Sequence, residues 1–433
     1  MARPNVTVIV EDQSFFIPNT ESGALARGGM PSTKGLIAAL GTTAEYDAGL
    51  MTLEGVADIM SRLNSNEPIH QPSGDTLGAA GQGAPFYHLV PGSTVDYVAG
   101  NSYAGLTFAR WAQGPTGTWK NEWWASHNFL QYGGVLIVAA TGSDSQYASG
   151  VAALTDKGIA LDVVFGATGT NVCATVATTR GDCVAINNCA PGQAASAASF
   201  VGTADEFNIC VFGQKKHLNI SRSTTNNYGT SDSPNYITTN IAADVAGCIC
   251  RNDKLGDPWW SPAGFKRGTI LDVVSLIDNP TDAEMDTMYD LKINPVTTFP
   301  GEGTVLFGDK TGAEPTSTLS RINVSRLFIY LKKTVGAAAR DKLFEFNDEI
   351  TRASFVNAVV PVLQTIQSRR GIYDYRVVCD ETNNTSSIID SNQFVADVYI
   401  KPAKSINFIK LTFTNKSSGD DLTGSLVSSG LTP

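Results

Sequence analysis

The sequence is short of charge. Lys, Arg, Asp and Glu supply only 17% of its 433 residues, while the hydrophobic share of 42% is ordinary. That combination excludes a disordered chain and suits a protein that hides much of its surface, including against copies of itself. Basic residues are the scarcer kind: the formal charge is -10, without the cationic footprint of a nucleic-acid-binding domain. No apolar run approaches the roughly 18 residues of a membrane-spanning helix. The opening "MARPNVTVIVEDQS" has no apolar signal-peptide core, so folding in a cytoplasm without membrane insertion is expected. The seven cysteines have no CxxC spacing and read as reduced, small hydrophobic residues. Cys248 and Cys250 in "AGCIC" have no histidine nearby, so no metal is expected. Repeats of solenoid period are absent.

At this length two or more packed units are expected. "NVTVIVED" (5–12) is a β-branched run with no neighbour to make a hairpin, and "LEGVADIMSRL" (53–63) has the spacing of a helix. The chain from 64 to 118 is rich in Gly, Pro and polar residues and reads as loops and short strands. At "HNFLQYGGVLIVAA" a helix or turn ends at Gly133-Gly134 and a buried strand, 135–140, begins. Helix 147–157, strand "IALDVVFG", helix 170–180, strands "CVAIN" and "FNICVFG", and helix "ITTNIAADVAGCICRND" follow. Apolar strands alternating with helices predict a largely parallel α/β sheet covered on both faces. Thr281 and Glu284 have the spacing of a capping box. Helices over 321–345 and 348–368, then strands in "YDYRVVCD", "FVADVYIKP" and "INFIKLTFTN", predict an α+β carboxy-terminal unit with a Gly/Ser-rich tail. The fold class is therefore multi-domain α/β and α+β.

Each stretch that resembles a site has a plainer reading beside it. "GTVLFGDKT" (303–311) approaches a phosphate-binding loop, but Asp309 intrudes before Lys310 and puts negative charge where phosphate would sit; a strand and polar turn fit better. "GTSDSP" (229–234) resembles the serine motif of subtilisin-like proteases. A triad also needs a histidine base and an aspartate, and His70, His88, His127 and His217 lack that family's His-Gly-Thr context; turn chemistry explains Ser231. In "DPWWSPAGFKRG" (257–268) adjacent Trp259 and Trp260 would point to opposite sides of an extended segment, so they read as core or subunit-contact anchors and not as one stacking platform. In "VSRLFIYLKKTVGAAARDKL", Val324, Leu327, Phe328, Leu331 and Val335 share one helix face while Arg326, Lys333 and Arg340 align on the other. Ten basic against six acidic residues between 320 and 380 make this the basic region of an acidic chain. The stripe is either a solvated face or a docking strip for an acidic surface.

Taken in order, several stretches resemble the contractile tail sheath family of bacteriophages, which includes the sheaths of R-type pyocins and related injection machines. "HNFLQYGGVLIVAA", "IAADVAGCICRND", "WWSPAGFKRG" and "LKINPVTTFPGEGTVLFGDKT" are similar to its central domain. "INVSRLFIYLKKTV", "FEFNDEITRASF", "VVCDETNN" and "VYIKPAKSINFIKLTF" are similar to its carboxy-terminal domain through Arg326, Phe346, Asn347, Cys379, Asp380, Asn384, Pro402 and Phe408. The likeness covers about 125–415; residues 20–125 align with nothing in it, and its opening Pro-Gly-Val-Tyr pattern is absent.

The resemblance implies an amino-terminal arm with a donated strand (1–20), a variable outer domain (21–125), a central subtilisin-like sheath domain (126–300), a carboxy-terminal α+β sheath domain facing a tube (301–414) and a carboxy-terminal arm (415–433). It implies a non-enzymatic subunit, without cofactor, that stacks as hexameric rings in a virion tail assembled in the host cytoplasm. Implied partners are copies of itself, a tail tube protein, and baseplate and tail terminator proteins, with no nucleic acid. The owner is a phage tail, or a pyocin or secretion-type machine. Arg326, Lys333 and Arg340 are the tube-contact candidates. Val6, Val8 and Val10 at one end, and Phe408, Lys410 and Thr412 at the other, are the candidates for strands added to a neighbour's sheet.

Overall fold

The computed structural model describes residues 27–32, 50–53, 97–98, 102–103, 118–140, 154–155, 160–166, 173–189, 205–218 and 236–405. The strand expected at 5–12 with Val6, Val8 and Val10, most of the helices expected over 53–63 and 147–157, Ser231, and Phe408, Lys410 and Thr412 lie outside the described residues. Met1–Ala403 and Lys404–Pro433 are separate compact units.

Strands β1 (Arg27–Ser32) and β2 (Leu50–Leu53) precede a short antiparallel pair, β3 (Tyr97–Val98) and β4 (Ser102–Tyr103). Helix α1 (Thr118–Leu130) leads into β5 (Val135–Ala140), then β6 (Val163–Phe165), α2 (Ala174–Arg180), β7 (Val184–Cys189), β8 (Asn208–Phe212), β9 (Gln214–Leu218), β10 (Tyr236–Asn240) and α3 (Ala242–Leu255). After β11 (Ser275–Leu276) come α4 (Asp282–Asp290), β12 (Ile293–Phe299) and β13 (Gly303–Leu306). The last part holds α5 (Ile322–Arg340), α6 (Glu349–Ser368), β14 (Ile372–Val378), α7 (Ser386–Asp390) and β15 (Asp397–Pro402).

An eight-stranded sheet has the order β13-β12-β8-β7-β6-β1-β5-β2. Its pairs are parallel from β5 to β12, and β2 and β13 close the edges antiparallel. All six residues of β7 are buried, the signature of a strand covered on both faces. On one face Val163, Phe165, Val184, Ile186, Ile209 and Val211 pack with Trp124, Phe129 and the α3 residues Val245, Ala246 and Ile249. On the other, Ala139, Val164 and Ala185 meet Val176 and Ala177 of α2.

Two sequence expectations need correction. Residues 21–125 are not wholly an outer domain, because β1 lies inside the sheet between β5 and β6 and β2 forms its edge. The segment "ITTNIAADVAGCICRND" is not one helix: its first part is β10, paired antiparallel with β9, as its β-branched residues favour. β9 itself has no apolar alternation, since its inward residues are Lys215 and His217, both fully buried.

A buried polar knot explains that strand. Lys215 Nζ lies 2.8 Å from Asp244 Oδ1, with both side chains 0% exposed. The ammonium also donates to the Leu271 carbonyl, and the Tyr132 hydroxyl donates to Asp244 while accepting from the Leu271 amide. The Tyr-Gly-Gly turn thereby reaches α3, β9 and the segment before β11. Backbone closeness demands the glycines: a Cβ on Gly247 would sit 2.2 Å from the Tyr132 ring, and one on Gly134 2.6 Å from Phe129. Gly133 adopts φ +80°, a conformation glycine takes without strain.

The carboxy-terminal layer has a core of its own. Val324, Leu327, Phe328, Leu331 and Val335 of α5 pack with Phe355, Val359, Leu363 and Ile366 of α6 and with the β14-β15 ribbon. One expected cap is present, and a second was not foreseen. Thr281 and Glu284 form the capping box of α4, and Asp348 accepts from the Thr351 amide to open α6. All seven cysteines are free and buried.

Two measurements test this account. Gly247→Ala should destabilise the protein by about 1–3 kcal/mol or more in urea unfolding, because the Tyr132 ring is locked in the polar knot and cannot yield. His127 is 3% exposed and burial pushes its imidazole down to about 4. The unfolded chain takes up this proton near pH 6.5 and the folded chain does not. Stability is therefore lost as pH falls from about 6.5 towards 4. Between pH 7 and 4.5 the protein should lose about 2 kcal/mol more than its His127→Gln variant.

Candidate functional site: the joint between sheet and carboxy-terminal layer

Helix α5 touches both cores. Ile322 and Ile329 belong to the core of the sheet, while the five apolar residues named above belong to the carboxy-terminal one. Between these contacts the helix offers charge to the sheet side. The two guanidinium nitrogens of Arg326 approach the two carboxylate oxygens of Asp253, on α3, at 2.7 and 2.6 Å. The side chains are 6% and 5% exposed. Burial opposes the charge on Arg326, but the carboxylate outweighs it and holds the guanidinium above its usual pKa. One helical repeat further, Lys333 Nζ donates to Asp162 Oδ1 at 2.7 Å and to the Leu161 carbonyl. Burial raises the Asp162 carboxyl, yet the Lys333 ammonium more than compensates and leaves it below the usual range. The other Asp162 oxygen accepts from the Arg27 amide at the start of β1. Ser325 adds a bond to the Glu206 carbonyl.

The predicted cationic stripe is thus largely internal. Arg326 and Lys333 are not offered outward, because Asp253 of α3 and Asp162 just before β6 stand opposite them. Of the three tube-contact candidates only Arg340, at the end of α5, is exposed. Sequence reasoning separated the apolar face from the charged one correctly, but it had no means of placing two acidic residues from distant segments opposite that charge.

The "DPWWSPAGFKRG" segment is tied to the same joint. Trp259 is buried in the carboxy-terminal core, as an anchor should be; its indole donates to the Arg369 carbonyl and meets the Tyr330 ring edge-on at 5.5 Å. The segment turns at 258–260, so Trp260 is not thrown to the opposite side and packs partly buried against the same core. Asn252 of α3 donates to the Trp260 carbonyl, and Asn323 of α5 to the carbonyls of Trp259 and Ala403. Gly264 has φ +85°. A Cβ on Gly268 would meet Gly264 and Leu306 backbone at 2.9–3.0 Å, which brings the chain onto β13 through reciprocal bonds with Leu306. The turn is scaffold.

The other motifs also have internal employment. β13 is followed by a turn in which Lys310 donates to the Tyr289 carbonyl and lies over its ring, while Asp309 pairs with Arg321 at 2.7 Å. Asn384, a carboxy-terminal signature residue, donates to the Asp380 and Val395 carbonyls and accepts from the Val395 amide and Asn347. Asn347 in turn accepts from Arg352. These bonds fasten the α5–α6 connection to the loop after β14, a role that an isolated Asn in sequence does not reveal. Among the described residues no group of three or more His, Cys, Asp or Glu is placed to hold a metal ion, and no helix is long and apolar enough to cross a membrane.

The fold resembles those of the anti-feeding prophage baseplate structure (TM-score 0.63, 15% identity, covering 96% of this chain and 100% of that one) and the contracted sheath complex of an extracellular contractile injection system (0.62, 15%, 95% and 99%). Residues 133–312 match the phage tail sheath protein central domain, and 314–416 the phage tail sheath C-terminal domain. The chain belongs to the phage tail sheath protein family. Tail sheath proteins of Vibrio phage KVP40 and Enterobacteria phage T4 are 51% and 48% identical to it over 42% of this chain. The matched part spans 27–28% of those relatives' length.

The joint is testable as a unit. Arg326→Ala or Asp253→Ala alone should cost about 3–5 kcal/mol in urea unfolding, because each leaves a buried charge without its partner. The paired Arg326→Met, Asp253→Leu variant should lose much less than the sum. Lys333→Ala, at a pair about one-third exposed, should cost about 1 kcal/mol or less.

Proposed function

We propose that this chain is a structural subunit of a contractile phage tail sheath, polymerising around a tail tube and shortening without nucleotide to drive the tube through a host envelope. The observation that carries the reading is the unbroken succession of central and C-terminal sheath domains over 133–416. The phage relatives at 48–51% identity favour a virion tail over an injection machine, whose structures share the fold at 14–15% identity. Neither a catalytic group nor a cofactor has a part in the mechanism.

In this reading residues 126–300, completed by β1 and β2, are a subtilisin-like central domain, 301–414 the domain turned towards the tube, and the remainder of 21–125 the outer surface. The segments 1–20 and 415–433 are arms whose strands, around Val6, Val8 and Val10 and around Phe408, Lys410 and Thr412, add to neighbouring copies. Such head-to-tail contacts repeat without closing and build a helix. Arg340 at the end of α5 is left as the tube contact of the stripe. Tube, baseplate and terminator proteins are the further partners.

Because the joint fixes each subunit internally, rearrangement falls on contacts between subunits. Two packings of the lattice differing by about a few kcal/mol per copy suffice, summed over many copies. Purified protein viewed by negative stain should give long striated tubes. Removing 1–12 together with 416–433 should abolish them while leaving the circular dichroism of the subunit nearly unchanged; tubes that still form and shorten normally would overturn the arm mechanism.

A further inference from the structure

Two surface features carry exposed charge that forms no ion pair among the described residues. The first surrounds Trp260. The guanidiniums of Arg267 and Arg370 lie 5.1 and 5.6 Å from its ring, and Lys266 is exposed beside them. Cations held against one indole are favoured by its face but repel each other. Arg369 next door is paired with Asp257, whereas no carboxylate of the described residues pairs with Lys266, Arg267 or Arg370. Arg370 is moreover held at φ +65°, in the left-handed region that costs a non-glycine residue free energy.

The second feature is α4. Asp282, Asp286 and Asp290 follow one another at i, i+4 and i+8 and are exposed, with no Lys or Arg in the helix. Like charges at this spacing destabilise a helix, and Asp290 sits at the end where the helix dipole disfavours an anion. The helix is anchored through the other side, by Met288 in a core with Cys210, Phe212 and Ile293, so its acidic row faces away from the protein.

We infer that these are the two halves of one contact between copies: the acidic row of α4 on one subunit docks against the Trp260–Arg267–Arg370 patch of the next. Opposite charge on two different elements of the same chain gives a heterologous contact that can repeat indefinitely. This rests on the polymeric reading above. It adds which surfaces meet, independently of the arms.

The test is a charge exchange at exposed positions. Lys266→Glu with Arg370→Glu, and separately Asp282→Lys with Asp286→Lys, should each raise the protein concentration needed for tube formation about tenfold or more, as expected for losing two cross-subunit pairs and adding repulsion. Circular dichroism melts should remain within a few degrees of the parent. Mixing the two variants should restore co-assembly, since each supplies the charge that the other has reversed. Reversals that leave tube formation unaltered would overturn the inference, and so would a mixture as impaired as its components. A parent protein that forms no tubes at all would instead count against the sheath reading itself.

Discussion

The Arg326–Asp253 ion pair is the constraint on which the subunit's architecture turns. A guanidinium and a carboxylate removed from water are tolerated only with partners in good geometry, so helix α5 can seat itself on α3 in one register. That register carries everything attached to the helix. It sets which apolar residues face the second core, where Lys333 meets Asp162, and where the 257–268 turn is pinned between α3, α5 and the end of α6. Apolar packing alone would allow the helix to slide or roll; the charge does not.

A rigid joint of this kind has a mechanical meaning in a sheath. If the two layers of a subunit were loosely connected, work done at one surface would be dissipated within the protein. With the layers locked, the proposed sheath function places motion at the contacts between copies. The low overall charge agrees with this, because a subunit that covers much of its surface with neighbours needs fewer solvated side chains. The exposed charge of α4 and of the Trp260 patch, which forms no ion pair among the described residues, stands out against this low overall charge.

Several features were legible in the residues before any coordinates. The Gly-Gly turn and the strand after it, the β7 run, the capping box at Thr281 and Glu284, and both long carboxy-terminal helices follow from local rules. Trp259 was recognisable as an anchor. The opposite faces of α5 were legible as well, but the meaning of the charged face was not, because its partners Asp162 and Asp253 lie well over fifty residues away in the chain. Strand β9 was missed for a related reason: Lys215 and His217 point inward, and a strand that buries a lysine carries no hydrophobic alternation. β1 was missed because Arg-Gly-Gly-Met-Pro-Ser, with two glycines, has little strand propensity; its place in the sheet comes from neighbours on both sides.

The sequence by itself determined the class of architecture, the alternation of strands and helices, the boundaries set by glycine and capping residues, and the kinship to sheath proteins, since all of these depend on neighbours in the chain or on ordered motifs. Only the tertiary structure decided which charges are internal and which are presented outward. Charge is silent about its partner until folding sets the distance, and within a protein that distance separates a docking surface from a structural bolt.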